Sequence, residues 1–158
     1  MNQGIQECLD NHPAPNRTFE TALNQGKVTA IDLSVEKVGV SAREIGYQFN
    51  QPKSKEAAGE VAENLVRRVD YLLEPLAIIE RDQTGSQIQI RSRQPSTRTD
   101  GRRYYEVNVD RQGLNIRRFH AAEGSRNREE IHLTRESFER LCHDLDDLLP
   151  PAPQRPNH

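Results

Sequence analysis

Two segments of the chain carry apolar residues at the three- and four-residue spacing of an amphipathic helix. In the first segment these positions are Ala58, Val61, Ala62, Leu65, Val69, Leu72 and Leu73. In the second they are Phe138, Leu141, Cys142, Leu145, Leu148 and Leu149. Ser54 and Thr134 precede the two segments, and both residue types favour the N-cap position. The sequence therefore predicts helices at about 55–73 and about 135–149.

Between these helices, apolar and polar residues alternate, which is the pattern of strands with one buried side. Turn residues divide the region into several extended runs. The predicted strands are 76–81, 87–91, 104–109, 114–119 and 130–133. The expected fold class is α+β, an antiparallel meander of about five strands with both helices packed on one face.

The first half of the chain gives weaker signals. Residues 1–26 contain two prolines and few large apolar groups, so we expect a mostly flexible N-terminal segment with a short helix around 19–23. Alternation predicts a strand over 28–35, and Ser41 can cap a short helical turn over 42–49.

The expected domain organisation is simple. A single α+β domain covers 27–149, and its core covers 54–149. Residues 150–158 are rich in proline and predict a disordered tail.

Alternation also assigns each predicted strand an inward and an outward side. The inward residues are Ile88, Ile90, Tyr105, Val107, Val109, Leu114 and Ile116. The outward residues are Gln87, Gln89, Arg91, Tyr104, Glu106, Asn108, Asn115, Arg117 and Phe119. The outward side thus combines two aromatic rings with amides and guanidinium groups.

Charge is distributed unevenly along the second half of the chain, although the net charge is only −2. Residues 91–128 hold ten arginines and four acids, whereas 129–149 hold seven acids and two arginines. Asp144, Asp146 and Asp147 lie at a predicted helix C-terminus, where negative charge is unfavourable. Either the basic segment binds an anionic partner, or its arginines neutralise this acidic helix end.

An arginine-rich sheet surface with aromatic rings suits single-stranded nucleic acid, because bases stack on rings while arginines hold phosphates. The candidate residues for binding nucleic acid or another anion are Arg91, Arg93, Arg98, Arg102, Arg103, Tyr104, Arg117, Arg118, Phe119 and Arg128. An acidic protein is an alternative partner. The simpler interpretation is a solvated or dimer-forming polar face, which is usual for one side of an antiparallel sheet.

Catalytic patterns are missing from the sequence. There is no Gly-rich phosphate loop, no nucleophile elbow, and no metal-ligand spacing of histidine and cysteine. Cys142 falls on an apolar stripe, which favours a core position. We expect a non-enzymatic protein without metal or cofactor. The two cysteines and the lack of a long apolar run favour a cytoplasmic protein that does not cross a membrane.

Residues 105–149 combine a strand-turn-strand from Tyr105 to Phe119, a basic loop, and Ile131-His-Leu-Thr leading into a short helix. This arrangement resembles the single-stranded-DNA-binding domain of the transcriptional positive coactivator family (positive cofactor four), with arginine where that family is rich in lysine. The resemblance implies a dimer that binds single strands on its sheets. It places the binding role on Arg117, Arg118, Phe119 and Arg128.

The helix at 55–73 and the strands before 104 do not belong to that pattern. In layout, a sheet with helices on one side and a polar outer face is similar to small dimeric chaperones and adaptors, including secretion chaperones. A protein-interaction module, either a homodimer or an adaptor, is therefore the second expected class of function. Layout alone says little about function.

Overall fold

The computed structural model describes residues 4–12 and 17–149, and within them the fold is α+β, as the sequence predicts. The helices are α1 Ile5–Asp10, α2 Lys55–Arg68 and α3 Arg135–Asp146. The strands are β1 Arg17–Ala22, β2 Gly26–Val35, β3 Gly39–Ala42, β4 Glu44–Phe49, β5 Leu76–Arg81, β6 Gln87–Ser92, β7 Ser96–Arg98, β8 Gly101–Asp110, β9 Gly113–Ala122, β10 Ser125–Glu129 and β11 Ile131–Thr134.

These strands form one large open sheet in the order β11-β3-β2-β4-β9-β8-β6-β5. All pairings are antiparallel, and β1, β7 and β10 pair with β2, β8 and β9. The described sheet thus has eleven strands rather than about five. The five predicted strands all exist as β5, β6, β8, β9 and β11, but β11 pairs with β3 instead of extending a meander beside β9.

The expected helical turn over 42–49 is wrong. This segment forms the end of β3 and the whole of β4, which lies between β2 and β9 at the centre of the sheet. Ile45, Tyr47 and Phe49 are buried and alternate with Gly46 and Gln48. That period of two was present in the sequence, and it is a stronger signal than a single capping residue.

The N-terminal segment is also more ordered than the sequence predicts. Residues 4–12 and 17–26 contribute α1 and β1, and the predicted helix around 19–23 is a strand instead. Ile5, Leu9 and Phe19 belong to the hydrophobic core, and the Phe19 ring meets Phe138 of α3 edge-on at 5.9 Å. A few large side chains are enough to order this segment, because the domain supplies the surface that buries them. The other residues of 1–26, and the tail at 150–158, lie outside the described residues.

The alternation along β2 changes phase at Asp32. This residue has a φ of 53°, and the register between β1 and β2 shifts beside it, as in a β-bulge. As a result Val28, Ala30 and Leu33 are the buried residues, whereas Ile31 is only half-buried.

Both predicted helices begin where their caps indicate. The Ser54 hydroxyl accepts a hydrogen bond from the Ala57 amide at 3.1 Å, and the Thr134 hydroxyl accepts one from Ser137 at 3.0 Å. Helix α2 ends at Arg68, five residues before the predicted end. The chain beyond it leaves helical geometry and keeps Val69 and Leu72 buried, whereas Leu73, which the sequence placed on the same apolar stripe, is exposed because the helix has already ended.

One hydrophobic core joins the helices to the inner side of the sheet. Every inward residue predicted from alternation is buried in it. The face assignment of β6, β8 and β9 is therefore confirmed for the inner side.

The acidic end of α3 is held by groups outside the basic segment. The buried Asp146 carboxylate accepts hydrogen bonds from the Tyr47 hydroxyl at 2.6 Å and from the amides of Asn24 and Gln25 at 3.0 and 2.8 Å. Asp144 accepts from the Tyr71 hydroxyl at 2.7 Å and pairs with Arg68 at 3.1 Å. The arginines of 91–128 do not reach these aspartates within the described residues of one subunit, so neutralisation of the acidic helix end inside a single subunit is wrong.

Asp146→Ala should lower the free energy of unfolding by roughly 1 to 3 kcal/mol, because it leaves buried donors without an acceptor. Asp147→Ala is the matched control, since the Asp147 side chain is exposed and its one ion-pair partner in the described part of the chain is Arg68, at 3.1 Å. The control should cost less than about 1 kcal/mol. Urea denaturation of both variants measures the difference, and equal costs would contradict the anchoring role of Asp146.

Candidate interaction surface

The outer face is defined as the side of the sheet that faces away from the helices. Strand register places its residues in rows: Gln89 lies beside Asn108, which lies beside Asn115, and Glu106 lies between Arg91 and Arg117. Its further members are Glu44, Gly46, Gln48, Gln87, Arg102, Tyr104, Phe119, Arg126 and Arg128. The residues predicted to point outward do share this face.

Tyr104 and Phe119 are direct partners across β8 and β9, and their rings stack at 5.8 Å. Arginine side chains cover both rings. Arg91 lies 5.3 Å from the Tyr104 ring centre, whereas Arg126 and Arg128 lie 3.9 and 5.9 Å from that of Phe119. As a result, Tyr104 and Phe119 are only 7% and 6% exposed to solvent, so neither ring is open to a stacking base.

Two carboxylates neutralise the arginines of the outer face. Buried Glu106 accepts hydrogen bonds from Gln89, from Arg91 at 3.1 Å and from Arg126 at 3.4 Å. Glu44 of β4 binds Arg117 at 2.8 Å and Arg128 at 3.2 Å. Internal neutralisation therefore occurs, but within the sheet instead of at the end of α3.

Arg118 lies on the inner side and is 4% exposed. It forms a two-pronged ion pair with Glu74 at 3.0 and 3.1 Å, and its guanidinium lies 4.3 Å from the Tyr105 ring centre. The hydroxyls of Ser92 and Ser96 donate to the same carboxylate at 2.9 and 2.6 Å. Arg118 is thus a structural residue of the core side, and no surface ligand can reach it in this conformation.

Arg103 is also occupied. It binds Asp100 through two nitrogens at 3.0 and 2.9 Å and Glu129 at 2.9 Å. Hydrogen bonds with these two carboxylates raise the pKa of Arg103 above its ordinary value.

Three of the candidate arginines remain open. Arg93, Arg98 and Arg102 are exposed, and their side chains have no ion-pair partner among residues 4–12 and 17–149. Arg98 and Arg102 belong to the β7–β8 hairpin, and Arg93 follows directly after β6. The open positive charge of the candidate set is therefore confined to one end of the sheet.

Sequence reasoning did not identify Glu44 and Arg126 as part of this surface. Glu44 was missed because its segment read as helical, and Arg126 because β10 was not predicted. The position of Glu106 directly opposite Arg117 could have been predicted, because both residues were in the outward set and antiparallel register places such residues opposite each other.

The other end of the outer face holds a polar pocket of about 600 Å³. Its side chains include Gln48, Glu80, Gln87, Gln89, Asp82, Asn108, Asp110, Gln112 and Asn115, and the described residues that line it include no lysine, arginine or histidine. The carboxylates of Asp82 and Asp110 each accept hydrogen bonds from backbone amides of their own turns. Glu80 is exposed and has no ion-pair partner among the described residues. This end therefore attracts cationic groups.

No group of three or more histidine, cysteine, aspartate or glutamate side chains forms a metal-binding arrangement within the described residues. Cys142 is a buried free thiol, and burial raises its pKa to about 12. Among the described residues, no helix is long and apolar enough to span a membrane.

Comparison with known proteins gives no match to a protein-family model, to a curated protein or to a solved structure.

The buried pair of Glu74 and Arg118 should show strong energetic coupling. Glu74→Gln and Arg118→Met should each lower the free energy of unfolding by about 3 kcal/mol or more, because each leaves a buried group without its partner. The double variant should cost clearly less than the sum of the two. The exposed pair of Arg81 and Glu63 at 3.3 Å is the control, with an expected coupling of about 0 to 1 kcal/mol. Additive costs at the buried pair, measured by urea denaturation, would contradict the assignment.

Because Glu74 belongs to this buried ion pair, we expect the free energy of unfolding to depend on pH in the acid range. Burial alone would raise the pKa of Glu74, but hydrogen bonds from Arg118, Ser96 and Ser92 hold it below its ordinary value of 4.5. The contribution of Glu74 to stability is therefore complete above pH 4.5 and is lost as pH falls through the lower folded pKa. Glu74→Gln should flatten the acid side of the stability curve measured by urea denaturation. Curves that stay parallel to the parent would refute this role.

Proposed function

We propose that the protein is a non-enzymatic protein-interaction module that binds its partner on the outer face of the sheet. The observation that carries this proposal is the alternation of charge on that face. Arg91 and Arg126 share Glu106, and Arg117 and Arg128 share Glu44. A polyanion gains most from uncompensated positive charge, whereas a protein can present both signs in a matching pattern.

The amide row supports the same proposal. Gln89, Asn108 and Asn115 lie side by side across three neighbouring strands. Amide side chains both donate and accept hydrogen bonds, which suits the peptide and side-chain groups of another protein. The Oδ1 atom of Asn115 is buried without a donor among the described residues, so this row has unused hydrogen-bonding capacity.

The proposed place of action is the cytoplasm. Cys142 is a buried free thiol, which suits a reducing compartment. The raised pKa of Cys142 keeps its thiol protonated and unreactive near neutral pH.

Binding of single-stranded nucleic acid or of an acidic protein is the second candidate function. Its support is the open set of Arg93, Arg98 and Arg102, together with the resemblance of residues 105–149 to the positive coactivator family. In this alternative, Arg126 and Arg128 would have to leave the Phe119 ring before a base could stack on it.

Site-specific photocrosslinking in the source cell tests the first proposal. A benzoylphenylalanine placed at Gln48 or Gln87, both exposed on the outer face, should form covalent adducts with protein. The matched control is the same residue at exposed Glu60 of α2, which should form few adducts. Equal adduct formation at Glu60 would contradict a binding role specific to the outer face.

Fluorescence anisotropy with a labelled single-stranded oligonucleotide separates the two functions. At a low salt concentration of ~50 mM, where phosphate contacts are strongest, we expect weak binding. Tight binding that falls steeply with salt, and that is lost in the variant Arg93→Ala, Arg98→Ala, Arg102→Ala, would overturn the first proposal in favour of the second.

A further inference from the structure

The outer face is electrically polar along its strands. On β8 the outer-face residues run from Arg102 through Tyr104, Glu106 and Asn108 to Asp110. The basic end is defined here by Arg91, Arg93, Arg102, Arg117, Arg126 and Arg128, and the acidic end by Glu80, Asp82 and Asp110. The two groups carry opposite charge and lie at opposite ends of the outer face along the strand direction.

The described residues of the chain do not neutralise either end completely. At the basic end, Glu44 and Glu106 are the only carboxylates among residues 4–12 and 17–149 that pair with the outer-face arginines. At the acidic end the described lining of the pocket contains three carboxylates and no cation. Each end therefore retains an excess charge that a complementary surface could offset.

We infer that the outer face binds the outer face of a second copy of this chain. This inference rests on the proposed function and names its partner. The two copies are related by a twofold axis that lies between the faces and runs perpendicular to the strands. That axis places the acidic end of each copy against the basic end of the other, so the charge match occurs twice in one closed interface.

The alternative twofold arrangement is unfavourable. An axis parallel to the strands would place basic end on basic end and acidic end on acidic end. Juxtaposed like charges oppose association, whereas complementary ones favour it and fix the register. The charge polarity thus selects one of the two face-to-face arrangements.

The surface is large enough for such a dimer. The outer face extends across five neighbouring strands, β2, β4, β9, β8 and β6, and its longest strands have ten residues. The five strands have 42 residues, and with ~3.4 Å per residue and ~4.8 Å between strands their area is roughly 700 Å². This lies within the ~600 to 1,000 Å² per partner of a standard specific interface. The pocket of about 600 Å³ leaves room for arginine side chains of the second copy.

A charge-swap experiment tests the inference. The first variant makes the basic end acidic, as Arg93→Glu, Thr97→Glu, Arg102→Glu, since Thr97 lies directly opposite Arg102 on the outer face. The second reverses the acidic end, as Gln48→Lys, Glu80→Lys, Gln87→Lys. All six side chains are exposed and have no side-chain partner in the described residues, so the substitutions should leave the fold intact. Asp82 and Asp110 are kept, because they hold turns.

Each variant alone should fail to dimerise, since two like-charged contacts replace two complementary ones. An equal mixture of the two should form a heterodimer. In that pair the reversed end of one copy meets the reversed end of the other, and the two unchanged ends also match. Loss of folding or a general surface effect cannot produce this recovery.

Analytical ultracentrifugation gives the readout. We expect the parent protein to dimerise, with a Kd that rises about tenfold or more between low and high salt, because exposed charges are screened. Each triple variant should raise the Kd by about tenfold or more, and the mixture should return close to the parent value. The matched control Glu56→Lys, Glu60→Lys reverses two exposed charges of α2, on the opposite side of the sheet from the outer face, and should dimerise like the parent.

A parent protein that stays monomeric at roughly 100 μM and low salt, where a dimer with a Kd in the micromolar range would form, overturns the inference. So does a mixture that stays monomeric when both variants are folded by circular dichroism. Such a monomer that still crosslinks other proteins at Gln48 and Gln87 leaves the proposed function standing. A monomer that crosslinks no protein there contradicts both.

Discussion

The pairing of β8 with β9 determines most of what this molecule presents on either side of its sheet. The register that joins Tyr104 to Phe119 and Glu106 to Arg117 also joins Val107 to Ile116 on the opposite side. A shift of one residue would exchange these sets and bury the outer-face charges against the helices. Burial of the apolar side therefore fixes the arrangement of charge on the polar side.

The basic strands and the acidic helix end are each neutralised locally, by different partners. Glu44, Glu74 and Glu106 bind the arginines of the sheet, while Arg68, Tyr47 and Tyr71 bind the end of α3. Charge blocks that are adjacent in sequence need not meet, because the sheet places β11 at one edge, beside β3. The charge that remains uncompensated has opposite sign at the two ends of the outer face. The inferred dimer uses this difference, and the nucleic-acid alternative uses the open arginines of the basic end.

The apolar spacing was sufficient for α2, α3, β5, β6, β8 and β9, and the inward residues predicted for β6, β8 and β9 are all buried. It was insufficient where the pattern is irregular or short. Asp32 interrupts the alternation of β2, and α1 and β1 owe their order to Phe138 and other distant core residues. Of the candidate site residues, Arg93, Arg98 and Arg102 are open, whereas Arg118 and Phe119 are buried by contacts with Glu74 and Arg126.

The sequence by itself determined the fold class, the two longer helices and the two sides of the central strands, because these follow from residue spacing over short distances. Only the tertiary structure decided which arginines are free. That choice depends on residues distant along the chain, such as Glu44 for Arg117 and Glu74 for Arg118. An ion pair is set by distance in space, and periodicity along the chain contains no information about which distant carboxylate will lie within reach.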